Sequence, residues 1–181
     1  MDADRPTSPA VSRADRFGGP VFVGHAEFVS SGFFVRKCVL KSSSGKVATV
    51  RGNDVRFPNG TRLSFETHRA GIHPRRGRTA LIDLPGNTRA GAEWVASDHY
   101  FQVHGDDAGY AVELGEKRHL WQMFADGVVV EFDHHRVDAR EVVPVTAVIL
   151  AWRVARTLEH TPGSATQRTM AWNRNAGVLG S

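Results

Sequence analysis

The chain has 181 residues, of which 41 % are hydrophobic and 23 % charged, ordinary globular values that exclude a fully disordered or collagen-like chain. A single cysteine, Cys38, excludes an internal disulfide framework and a cysteine-rich zinc module. The net charge of +4 conceals an asymmetry: residues 33–78 carry eleven basic and two acidic side chains, residues 79–142 five and twelve. Either the two halves neutralise each other within one fold, or the basic half faces an anionic partner.

Residues 1–17, rich in Pro, Ser, Asp and Arg, read as a disordered tail. They have no apolar core that could serve as a secretory leader, and a soluble, cytoplasmic protein is expected. From Val21 the pattern becomes short alternations broken by turn residues. Val21, Val23 and Phe28 are followed by Phe33-Phe34-Val35 and Cys38-Val39-Leu40, which end at Ser42-Ser43-Ser44-Gly45. Val47 with Val50, Val55 with Phe57, and Leu63 with Phe65 continue it, with Pro58-Asn59-Gly60 as a turn. Strands are also predicted around Leu81, Trp94-Val95, Tyr100–Val103, Tyr110–Leu114, Trp121–Met123 and Val128–Phe132. This spacing predicts a mainly β, antiparallel closed barrel of about 9–12 strands.

After residue 138 the period changes. Val142–Trp152 is a nearly apolar run of 11 residues, short of the roughly 20 that a membrane-spanning helix needs. Pro144 suits a first helical turn. Arg153, Arg156 and His160 suit a C-terminal end, and Thr161-Pro162-Gly163 a stop. A helix of about 16 residues, roughly 24 Å long, is expected, with the two arginines on one side. Its first half has almost no polar face, so it must be buried all round, packed inside the strands. Residues 18–160 then form one domain, and 161–181 a flexible tail from which Trp172 could dock.

Short antiparallel strands, best seen in WVASDHYFQVHGDDAGYAVELGEKRHLWQMF from Trp94, followed by VVPVTAVILAWRVA, resemble the tubby C-terminal-like superfamily. That group includes the LURP-one-related proteins and phospholipid scramblases. The resemblance covers about residues 18–160 and implies a roughly twelve-stranded barrel threaded by a hydrophobic helix, with phosphoinositide binding. The acidic cation-binding segment and the cysteine cluster of scramblases have no counterpart here, so it does not imply lipid translocation.

Among candidate sites the basic loop comes first. Arg69, His73, Arg75, Arg76 and Arg78, interrupted by Gly71, Pro74 and Gly77, could hold a phosphate or lipid headgroup, because arginine forks match phosphate oxygens. Lys37, Lys41 and Lys46 would join them if their strands are adjacent. A solvated loop is the competing reading. Nucleic acid is disfavoured, since no aromatic residue is interleaved with these charges. Asp133-His134-His135 ends a strand, where neighbours point to opposite faces. Asp133 with His135 is therefore the weak metal pair, and surface histidines are the plainer reading. Cys38 lies in an apolar strand with no histidine placed to activate it. Asp106-Asp107 reads as turn chemistry. Trp94, Trp121 and Trp152 read as core, the Trp152 indole N–H needing a partner.

The leading expectation is a non-enzymatic binding module without cofactor, whose basic face meets an anionic lipid headgroup or acidic protein partner, peripherally at a membrane surface in the first case. Its rival is a small barrel enzyme or ligand carrier with His99, His104, His134 and His135 at one mouth.

Overall fold

In the computed structural model, residues 19–32, 36–69, 76–105, 109–117 and 119–160 are described. Both tails, with Trp172, lie outside them. The twelve strands are β1 (Val21–Ser31), β2 (Lys37–Ser42), β3 (Gly45–Arg51), β4 (Asp54–Arg56), β5 (Arg62–Arg69), β6 (Arg76–Asp83), β7 (Thr88–Val95), β8 (Tyr100–His104), β9 (Gly109–Leu114), β10 (Trp121–Ala125), β11 (Val128–Phe132) and β12 (Arg136–Pro144). Each pairs antiparallel with its neighbours in the chain, and β1 pairs with β12 to close the barrel.

Alternation is clearest in β8 to β11. Phe101 and Val103, Tyr110 and Val112, Trp121 and Met123, and Val128, Val130 and Phe132 all point inward and are buried. Between β10 and β11, Asp126 (φ 43°) and Gly127 (φ 83°) both take positive φ, as a two-residue turn matched to strand twist requires. Inside β6, Gly77 leaves room for the ring of Trp94, its cross-strand partner, which a Cβ at Gly77 would overlap.

One strand is not visible as such in the sequence. Residues 136–144 form β12, whose Val137, Ala139 and Val143 face inward while β1 and β11 take up its backbone bonds. Pro144 ends this strand instead of entering the helix. The first helical N–H, that of Val145, donates to the Pro20 carbonyl (2.9 Å).

The helix α1 (Val145–His160) threads the barrel. Val145 through Ala151 are all 0 % exposed, and seven consecutive positions point in every direction around a helix axis. No open side remains, as the absence of a polar face requires. Trp152 stacks on Phe28 of β1 (centroids 4.5 Å apart), and Arg153 lies over Phe65 of β5. The Trp121 side chain of β10 meets Glu159. Close packing falls against β7, whose inward Ala90 and Ala92 are small enough to admit it. No described helix is long and apolar enough to cross a membrane.

Candidate functional site

Because the strands alternate in direction, α1 enters at the mouth where β12 ends and emerges at the one formed by the end of β1 and the start of β2. A cavity of about 650 Å³ opens beside its last two turns. Arg36, Arg69, Arg153 and Arg156 line it, with His160, Ser30, Ser31, Cys38 and Trp152, and among the described residues no carboxylate belongs to the lining.

Helical spacing sets two of these cations side by side, since residues three apart share a face. Arg153 donates to the Asn53 side-chain oxygen (3.0 Å) and, at 3.5 Å, to the Gly52 carbonyl. Both acceptors are neutral, and among the described residues no carboxylate pairs with it. Burial, and then the like charge of Arg156, push the Arg153 guanidinium below the ordinary arginine value. Arg156 sits over the Trp152 ring at 4.9 Å, a cation–π contact. Among the described residues none of the four arginines lies in a salt bridge. The indole N–H of Trp152 is buried and has no hydrogen-bond partner among them. Unpaired cations thus line one concavity, where arginine forks have the donor geometry that carboxylates and phosphates accept.

On the other side of the helix end, Glu159 is 7 % exposed. Its Oε1 accepts from the Trp121 indole (2.9 Å), and its Oε2 contacts His134 Nε2. His119 Nδ1 stands 3.8 Å from Oε1. Burial alone would raise the Glu159 carboxyl; the close contact of His134, the bond from Trp121 and the charge of the nearby imidazoles outweigh it and hold the group below the ordinary value.

No protein-family model, curated protein or solved structure matches the chain. The geometry must therefore carry the reading of the site.

The basic residues singled out from the sequence do not gather at one place. His73 and Arg75 lie outside the described residues. Arg69 borders the arginine-lined mouth and also an outer-face groove of about 590 Å³ that holds Arg76 and Arg78. In that groove Glu93 and Asp98 offset the charge. Lys37 joins Lys46, Arg51, Arg56 and Arg62 in a second outer groove of about 440 Å³. Lys41 pairs with Lys46 beside the β2–β3 turn, at the far end of the barrel. Of the histidines assigned to one mouth, His99, His134 and His135 are there, whereas His104 ends β8 at the opposite mouth.

Asp133 is engaged locally. Its Oδ1 accepts the His135 (2.7 Å) and Arg136 (2.9 Å) backbone N–H groups, and its Oδ2 faces Arg136 Nε (3.2 Å). His135 is exposed; the group of three ligands that comes together among the described residues is His119, His134 and Glu159. Cys38 is buried, and burial raises its thiol against the opposing pull of Ser30 and Arg156. Asp106 and Asp107 lie outside the described residues.

Sequence reasoning did not select Arg36, Arg153, Arg156, His119 or Glu159 as site residues. The signal was available for the arginines, whose shared helical side leads out of a segment that must be enclosed. None existed for His119 and Glu159, since barrel closure alone brings them together.

Proposed function

We propose that this protein is a non-enzymatic binding module that receives a phosphate-bearing anion in the mouth from which α1 emerges. The observation that carries this is the set of four arginines around a cavity whose described lining residues include no carboxylate. Arginine forks pair with phosphate oxygens two bonds at a time, and a cavity of about 650 Å³ falls within the usual range for small ligands. A twelve-stranded barrel around a helix is the architecture that the resemblance to tubby-like domains implies, and from that resemblance alone we take a phospholipid headgroup as the source of the phosphate. A carrier function finds little room, because α1 fills the interior that a carried ligand would occupy.

Full-length protein should be titrated with soluble inositol phosphate, phosphoinositide-containing vesicles, neutral phosphatidylcholine vesicles and an acidic peptide. Both phosphate-bearing probes are expected to bind, with affinity falling as salt rises. Arg36→Ala and Arg69→Ala should each weaken binding about tenfold or more, the worth of a charged hydrogen bond of about 1.5–3 kcal/mol. Arg78→Ala, in the charge-balanced outer groove, should matter less. Vesicle binding without inositol phosphate binding would assign the source to the membrane surface. Wild-type affinity in both mouth variants, or binding to the acidic peptide alone, would overturn the proposal.

A further inference from the structure

We propose that His119, His134 and Glu159 form a site for Zn²⁺, with three protein ligands and a fourth position open to solvent. The site is distinct from the arginine-lined cavity. His119 and His134 come from the β9–β10 and β11–β12 connections and Glu159 from α1, whereas the cavity is lined from the ends of β1, β2, β3 and β5 and by other residues of α1.

Donor chemistry is the first support. Two imidazole nitrogens and one carboxylate oxygen are a zinc-binding set that leaves one coordination position free. One ligand atom from each residue lies within 4.8 Å of the others. In a tetrahedral site, ligand atoms about 2.0–2.2 Å from the metal lie about 3.4 Å from one another. The His119 Nδ1 to Glu159 Oε1 distance of 3.8 Å is close to that spacing; Glu159 Oε2 and His134 Nε2 lie closer together than it, so the ion would enter as the imidazole and the carboxylate swing apart.

Unsatisfied atoms are the second. His119 Nδ1 and Glu159 Oε2 are buried and make no hydrogen bond among the described residues; the Oε2 contact with His134 has ion-pair proximity without hydrogen-bond geometry. Buried polar atoms left this way call for an explanation, and a bound ion is one. A metal would take a lone pair from each.

Support around the ligands is the third. The Trp121 N–H fixes the carboxylate through Oε1 (2.9 Å), as outer hydrogen bonds orient metal ligands. His119 holds a left-handed backbone (φ 62°), uncommon outside glycine and enriched at functional sites. The side chains of His119 and His134 are 32 % and 26 % exposed, which gives an ion a path in.

The test uses the full, tag-free chain, stripped of metal and titrated calorimetrically with Zn²⁺ itself. One ion per chain is expected. His134→Ala and His119→Asn should each weaken binding about 100-fold or more, and Trp121→Phe about 10- to 100-fold. Asparagine is chosen at 119 because it tolerates the left-handed backbone, so a fold-retaining ligand deletion remains available. His135→Ala should bind as wild type does. No stoichiometric binding by the wild type, or unchanged affinity in both folded histidine variants, would overturn the assignment. Neither result bears on the arginine variants, so the two proposals stand or fall separately.

Discussion

If the barrel sheathes α1 completely, truncations around its whole circumference must all be costly. Val148, Ile149 and Leu150 are consecutive, each 0 % exposed, and successive residues are turned about 100° around the axis. Ile149→Ala and Leu150→Ala should each destabilise the protein by about 2–5 kcal/mol, through lost transfer energy and the cavity left behind. Val148→Ala removes two buried methyl groups and should cost about 1.6 kcal/mol at about 0.8 per group, before any cavity contribution. A helix lying on the outside would show a different profile, with at least one of the three positions within about 0.5 kcal/mol of wild type. Urea unfolding followed by tryptophan fluorescence measures all three. Constant m-values would show that the native state, not the compactness of the denatured chain, has changed. One near-neutral variant among the three would refute the enclosure, and the exclusion of an internal ligand would fall with it.

Gly77→Ala should destabilise the fold by about 1–3 kcal/mol by forcing the Trp94 ring aside, seen as a lower urea midpoint. Asp83 accepts the Asn87 (2.8 Å) and Gly86 (3.4 Å) backbone N–H groups and faces Arg89. Its carboxyl is held below the ordinary value, chiefly by the Asn87 bond, which with help from Arg89 and Gly86 outweighs the opposing effect of burial. Its contribution should therefore be full above the unfolded-state value and lost as pH falls through the lower folded-state one. Asp83→Asn should reduce stability at neutral pH and flatten that part of the acid limb in pH-dependent melts; an unchanged limb would refute this. With its thiol raised by burial, Cys38 should label with a maleimide far more slowly in native than in urea-unfolded protein, and equal rates would contradict its placement.

How legible all this is from residues alone depends on the range of the interactions. Hairpins such as β10–β11 declare themselves because alternation and the Asp126-Gly127 turn are local. The enclosed helix is readable too, since a segment without a polar face admits few environments. β12 escapes because only Val137, Ala139 and Val143 show its inward face, and Arg140, Glu141 and the following apolar run blur the period. Site geometry is least legible. Arg69, Arg76 and Arg78 are close in sequence, yet Arg76 and Arg78 face an outer groove while Arg69 also reaches the mouth. His119, His134 and Glu159 meet only because twelve strands close a circle around a plug.

That plug also follows all twelve strands in the chain. During synthesis, β1 must wait for β12 before the cylinder can close, and the inward-facing aromatic and aliphatic side chains have nothing to rest on until Val145–His160 has emerged. Such long-range pairing is slow and leaves greasy surfaces uncovered meanwhile. A chain cut just before Val145 would thus lose the filling of the whole shell, and its hollow sheet would be a substrate for chaperones and proteases.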